Sequence, residues 1–270
     1  MPVLNIETRP LLSVRVPVES MQTALKIINT FDSEPVLRFT DSAFMLASKV
    51  GNNNIIAAEI SIPFTDKIEK TFGGDVDFLV TKIKSLREML KKSYKKGTMI
   101  LIEYRKENLK ITVDGEDKKT SLTLRNINKE DRKAFKWPKG VIDGSPGVVV
   151  YSGDIISSIG VSNEIAEFTK FTVTRDLMTV EAYSQWTKCE NMDFSAEIQT
   201  ADITGPEKFE PFSFFYSNSE ISSIFSNKMN DLCSFWWYVK DGVMFIRSDV
   251  DGVEARYASA RSTPAGTDTA

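Results

Sequence analysis

The sequence predicts an α+β protein built from two copies of one domain, and three observations carry that reading. First, the apolar pattern repeats at an offset of 134 residues. Val14, Val16 and Pro17 fall opposite Val148, Val150 and Tyr151, and Met21 and Leu25 fall opposite Ile155 and Ile159. Leu37-Arg38-Phe39-Thr40 falls opposite Phe171-Thr172-Val173-Thr174, Ile60 and Ile62 opposite Phe194 and Ala196, and Tyr104 and Lys106 opposite Tyr238 and Lys240. A self-similar period of this size points to a duplicated domain, not to a solenoid of short repeats. Second, most of each half alternates apolar and polar residues over short β-branched runs, as strands with one buried face do. Third, two segments per half switch to the 3.6-residue period of an amphipathic helix.

The elements follow in the same order in both halves. A short strand opens each half, Leu12 to Val16 and Val148 to Tyr151, followed by an amphipathic helix, Glu19 to Asn29 and Gly153 to Val161. Three alternating strands come next: Val36 to Thr40, Ala43 to Ser48 and Ile55 to Ile62, matched by Lys170 to Thr174, Met178 to Tyr183 and Met192 to Gln199. A second helix is predicted over Thr81 to Lys95 and Asn218 to Met229. Closing strands follow: Thr98 to Tyr104, Leu109 to Val113 and Ser121 to Arg125, against Ser234 to Val239, Val243 to Ser248 and Val253 to Ala258. Glu107-Asn108 and Asp241-Gly242 have the chemistry of tight turns. Residues 1–125 and 148–261 are therefore the two domains. The linker 126–147 is basic at first, then carries Trp137-Pro138 and the Gly-Ser-Pro-Gly run at Gly144 to Gly147. The tail 262–270, rich in Thr, Pro, Gly and Ala, reads as flexible.

Composition excludes several function classes. There is no histidine among the 270 residues, which removes Ser-His-Asp and Cys-His nucleophile systems and the usual zinc sites. No GxxxxGK[ST] or GxGxxG phosphate loop is present. No stretch reaches the roughly 18 consecutive apolar residues of a membrane span. Glu7, Arg9 and Arg15 interrupt the N-terminal apolar residues, so this end does not read as a secretory signal. Cys189 and Cys233 read as reduced thiols of an intracellular protein, with a disulfide or metal site as the alternative.

Charge is segregated within a net charge of −3. Lys82, Lys84, Arg87, Lys91, Lys92, Lys95 and Lys96 stand against Glu88 alone between residues 81 and 96, so this segment carries +6 and the remainder −9. On a helix, Ile83, Leu86, Met89 and Leu90 share one face, while Lys84, Arg87, Lys91 and Lys95 gather on the opposite one. Cations spaced by three and four residues repel each other by tenths of a kcal/mol per pair, a cost that suits an anionic partner. A merely solvated face is the competing reading. The first helix adds Lys26 on its outward face, the fourth has Lys228, and the third has no cation.

At this point the residues resemble a family. Leu37-Arg38-Phe39-Thr40-Asp41, Met45-Leu46-Ala47-Ser48 and Ile60-Ser61-Ile62-Pro63 look like the first domain of PCNA-type DNA sliding clamps. So does Lys84 to Lys92 followed by Thr98 to Glu103, and the likeness continues through Gly153 to Ile159 and Gly252 to Ala260. It implies two similar domains per subunit, each with two helices and antiparallel sheets, joined head to tail into a ring of three subunits with helices lining the hole. The family's lining lysine matches Lys91. Glu88 falls where another basic residue is common, and Arg87 substitutes for it. The closing strand departs from the family, reading Ala258-Ser259-Ala260-Arg261 without the usual proline. The linker is also basic (Lys129, Arg132, Lys133, Lys136) where many relatives are acidic.

The resemblance implies a non-enzymatic processivity factor for DNA replication, without cofactor or metal. It would encircle double-stranded DNA and tether a DNA polymerase after placement by a clamp loader, in the cytoplasm or nucleoid, or in a host cell if viral. DNA contact is expected from Lys82, Lys84, Arg87, Lys91, Lys92, Lys95 and Lys96. Partner docking is expected at Phe135, Trp137, Ala258 and Ala260; the competing reading is that Trp137 pins the linker to the sheet. The homotrimer is expected to join through Leu122 and Leu124 on one edge strand and Met178 and Val180 on another, since neither strand contains proline. The alternatives are a clamp-like subunit of a hetero-ring, a transcription-linked scaffold or, more remotely, a carboxylate-metal nuclease.

Overall fold

A computed structural model describes residues 10–31, 34–50, 56–70, 76–79, 83–91, 94–105, 108–115, 119–125, 137–184, 193–204, 206, 209–226 and 229–264. It divides into two units, Met1–Ser48 with Glu59–Phe135 and Asp251–Val253, and Lys49–Ala58 with Lys136–Val250 and Glu254–Ala270.

The first half of the chain runs β1 (Leu12–Pro17), α1 (Val18–Ile28), β2 (Val36–Phe39), β3 (Ala43–Val50), β4 (Ile56–Pro63), β5 (Asp66–Lys70), β6 (Val76–Leu79), α2 (Lys84–Leu90), β7 (Met99–Arg105), β8 (Asn108–Asp114) and β9 (Lys119–Arg125). A short helix, α3 (Lys139–Ile142), follows. The second half runs β10 (Gly147–Tyr151), α4 (Ser152–Ile165), β11 (Phe168–Val173), β12 (Leu177–Tyr183), β13 (Ser195–Gln199), β14 (Asp202–Thr204), β15 (Phe212–Ser217), α5 (Asn218–Phe225), β16 (Leu232–Tyr238), β17 (Val243–Val250) and β18 (Val253–Ser259).

The duplication is visible in strand order. Neighbouring strands run β5-β1-β7-β8-β9 in the first half and β14-β10-β16-β17-β18 in the second. The remaining strands run β4-β3-β2-β6 and β13-β12-β11-β15. The spacing is the one seen in the sequence: Val18 and Ser152, Ala43 and Leu177, Lys84 and Asn218, and Lys119 and Val253 are first residues of equivalent elements, each pair 134 apart. β5, β6, β14, β15 and α3 are elements the sequence pattern does not announce. β14 is only three residues long, and β15 places aromatics on consecutive positions, Phe214, Phe215 and Tyr216, which hides its alternation.

The alternating residues fill the cores. Leu12, Val14 and Val16 of β1, Ile100 and Ile102 of β7, and Leu109, Ile111 and Val113 of β8 have no exposed surface. Each contributes roughly 1.5–3 kcal/mol through apolar burial. In the second unit Phe235 stacks on Trp237 with ring centres 5.7 Å apart, and Phe171 meets Tyr216 edge-on at 5.6 Å. The Tyr216 hydroxyl donates to the Gly242 carbonyl at 3.0 Å, and burial pushes its pKa well above the usual tyrosine value. Asp241-Gly242 forms the expected turn, with Gly242 at φ 65°. Gly147 belongs to β10, not to a free linker: a Cβ there would collide with Thr204 Oγ1 and the Phe235 carbonyl. Cys233 is buried and donates weakly to the Val150 carbonyl, and burial pushes its thiol up to about 12, so it stays protonated at neutral pH. Cys189 lies outside the described residues.

A buried polar cluster joins α4 to α5. Thr169 Oγ1 donates to Asn218 Oδ1 and lies 2.7 Å from Ser162 Oγ. Asn218 Nδ2 donates to the carbonyls of Ala166, at 2.8 Å, and Ser162, at 3.1 Å.

The sheet edges correct one expectation. β12 is paired with β11 on one side and β13 on the other, and Met178 and Val180 have no exposed surface. They are core residues, so neither offers a subunit edge. The alternation of β12 reports a buried face and says nothing of whether its backbone is already paired. Among the described residues the strands that end a sheet are β5, β6, β9, β13, β14 and β15. The far edge of the β13 sheet, β15, is met by the chain's own Ser262, whose amide donates to the Phe215 carbonyl at 2.7 Å. Ser262 Oγ also accepts from the Ser217 amide at 3.0 Å. Ser262, read from sequence as the start of the flexible tail, is thus held against the sheet.

Candidate functional site

The basic site is built from α1 and α2 of the first unit. In α2, Ile83, Leu86 and Leu90 are buried, as the helical period demands, while Lys84 and Lys91 are exposed and Arg87 is half-buried. The helix is shorter than its sequence suggests, ending at Leu90 with Lys91 as C-cap. Side chains take up its last carbonyls: Tyr94 Oη donates to Met89 O at 2.8 Å and Gln22 Nε2 donates to Leu90 O. Orphan helix carbonyls satisfied this way release the chain from the helix. Lys95 and Lys96 therefore lie in the turn before β7, around Gly97 at φ 85°, and not on the helical face assigned to Lys95.

α1 packs beside α2, and its polar face completes the site. Arg87 Nη1 donates to Asn29 Oδ1 at the C-cap of α1. Lys91 Nζ donates to Glu88 Oε1 at 2.6 Å, and this hydrogen bond, with neighbouring cations, holds the Glu88 carboxyl below its ordinary pKa. Both partners are more than half exposed, so solvent screens the pair and it separates readily. Between the helices lies a cleft of about 400 Å³ lined by Gln22, Leu25, Lys26, Asn29, Thr30, Arg87, Leu90 and Lys91. It presents three cations and three neutral hydrogen-bonding side chains over an apolar floor.

The sequence places Lys26 outward but gives no sign that Asn29, Gln22 and Thr30 join it. The only available hint is Lys26 and Asn29 at i and i+3 on the polar face of α1. Lys82 and Lys92, assigned to the basic face, lie outside the described residues.

The second site lies in the second unit, on the sheet face opposite the core. Trp137 is half-buried there, edge-on to Trp236 at 6.2 Å and to Phe245 at 5.7 Å, with the Arg256 guanidinium 5.5 Å from its ring centre. Arg256 also pairs with Glu254, which pairs with Arg247 at 2.6 Å. Ala258 shares Arg256's side of β18 by strand alternation and is 8% exposed, and Ala260 follows just beyond the strand, half-buried. Trp137 thus pins the chain to the sheet, and its contacts with Trp236, Phe245 and Arg256 were not foreseen. Trp236 carried the signal, an aromatic at an outward position of an alternating strand. Phe135 lies outside the described residues. Trp137→Ala is expected to lower stability by about 2 kcal/mol through lost aromatic packing, measured by denaturant unfolding. A loss below about 0.5 kcal/mol would mean that the contact is not maintained in solution.

Leu122 and Leu124 are half-exposed on β9, opposite Ile111 and Leu109 of β8. Across the described residues, no group of three Cys, Asp or Glu side chains gathers as a metal site would require.

No protein-family model matches the sequence, and no curated protein matches it. The fold is that of PCNA-type sliding clamps. PCNA from Thermococcus kodakaraensis aligns with a TM-score of 0.71 over 93% of this chain and 100% of that one, at 11% identity. Proliferating cellular nuclear antigen from Entamoeba histolytica also gives 0.71, over 94% and 100%, at 8% identity. A chain of the PCNA2–PCNA3 complex from Sulfolobus tokodaii gives 0.68, over 92% and 98%, at 15% identity.

Proposed function

We propose that this chain is the subunit of a homotrimeric DNA sliding clamp that encircles duplex DNA and tethers a DNA polymerase and other replication proteins to it. The observation that carries this reading is the coincidence of a clamp fold over nearly the whole chain with a cation-lined cleft on a helix pair. A closed ring is held topologically, so its DNA contacts need only be weak and exchangeable. Lysine–phosphate contacts without base reading meet that requirement. Partner peptides would dock on the sheet face that Trp137 shares with Trp236 and Arg256. No chemical step is proposed for the chain.

The edges of the two units suit head-to-tail assembly. β9 carries Lys119 and Arg125 on its exposed positions, and β13 carries Glu197. Opposite charges on two unpaired edges favour their pairing over self-association of either. A head-to-tail contact closes into a ring when the rotation allows. The PCNA2–PCNA3 complex among the similar structures supports a second reading, a ring containing unlike chains.

The functional test uses linear duplex fixed to a bead at one end and biotinylated at the other. The protein threads onto the free end, and streptavidin then caps it. Retention through a salt wash is expected on capped DNA, with release on restriction cleavage and little retention on uncapped DNA. Equal loss from capped and uncapped DNA would contradict the clamp reading.

A further inference from the structure

The two helix pairs of this duplicated chain differ in charge. α1 and α2 surround a cleft bearing Lys26, Arg87 and Lys91. The equivalent helices α4 and α5 contain no lysine or arginine and carry Asp154, Glu164 and Glu220 instead. α5 ends at Phe225, short of the predicted Met229, so Lys228 is not part of it and lies outside the described residues. Exposed positions on these helices are otherwise uncharged: Gly153, Ser157, Gly160, Val161, Asn163 and Ser219. A duplex in the ring would meet cations on one helix pair of each subunit and a neutral to acidic wall on the other.

We infer that backbone phosphates are seated in the α1–α2 cleft alone, and that Asn29 is the positioning residue that aims Arg87 at them. The inference deepens the clamp reading and rests on it. Arg87 is half-buried, and its Nη1 is committed to Asn29 Oδ1. A guanidinium has five N–H donors, so four remain for an anion once one fixes its orientation. An oriented guanidinium binds phosphate through paired hydrogen bonds, whereas a lysine acts as a point charge. Lys26 and Lys91 line the same cleft, while Gln22 and Thr30 donate to the backbone carbonyls of Leu90 and Ile27. Lys91 is held by an exposed carboxylate that an arriving phosphate can replace.

The test measures affinity for a short linear duplex by fluorescence anisotropy over a salt series, with capped-DNA retention measured on the same proteins. Arg87→Ala is expected to weaken binding about fivefold and to flatten the slope of log affinity against log salt by about 0.9 for each cleft engaged. Asn29→Ala is expected to weaken binding two- to threefold, and to have no further effect when Arg87 is already alanine. Asn29→Asp should weaken binding more than Asn29→Ala while leaving the melting midpoint unchanged or raised, because a carboxylate would neutralise Arg87 in place. Ser157→Ala with Asn163→Ala on α4 is expected to leave affinity within twofold. The inference is overturned by an unchanged salt slope in Arg87→Ala, by equal Asn29→Ala effects in both backgrounds, or by a comparable loss from the α4 pair. Failure of the parent protein to stay on capped DNA would instead remove the clamp reading, whatever the slopes.

Discussion

Leu122→Asp with Leu124→Asp is expected to convert the proposed trimer to a folded monomer. β9 is hydrogen-bonded on one side only, to β8, and both leucines remain half-exposed although their β8 partners Ile111 and Leu109 are fully buried. A row of half-covered apolar residues on an unpaired edge is the surface that another strand completes. Two carboxylates placed there would have to lose solvent on assembly, at several kcal/mol per interface. Association should fall by about two to three orders of magnitude or more, read by light scattering at micromolar protein. A second pair of variants guards against damage to the domain itself. Lys119→Glu with Arg125→Glu changes only exposed positions and should also dissociate the trimer, while adding Glu197→Lys should restore part of it. A trimer that persists in both sets would place the subunit contact on other strands.

Asn218→Ala should be the most destabilising single substitution among those considered. The side chain is 2% exposed and makes hydrogen bonds to Thr169, to the Ser162 and Ala166 carbonyls, and to Ser162 Oγ. Ser162 and Thr169 have no exposed surface, so water does not readily replace the lost amide. Stranded buried polar groups cost about 1–3 kcal/mol each, and their energies are not additive; a total of roughly 3–5 kcal/mol is expected. For a chain of this size that lowers the melting midpoint by roughly 6–15 °C. Ser219→Ala, one residue on and exposed, provides the control and should change it by less than about 1 °C. Equal shifts in the two variants would show that the cluster is open to solvent.

Periodicity made the duplication legible. Val14, Val16, Ile100 and Ile102 alternate because one face of each strand is buried, and the 134-residue offset survives because both halves bury the same positions. Pairing left no such trace. Backbone hydrogen bonds do not depend on side-chain identity, so the alternation of β12 looked like that of β9 although β12 is flanked on both sides. The end of α2 was hidden for a related reason. Leu90 O is taken by Gln22, 68 residues away, and Arg87 is oriented by Asn29, 58 residues away. The cations of the cleft could be read from the sequence; the neutral groups that arrange them could not.

The central claim, that the chain closes into a ring of three, is tested most directly by its native mass. Three chains of 30.4 kDa give about 91 kDa, and light scattering at tens of micromolar should return that value. A single species of about 30 kDa at that concentration would contradict it.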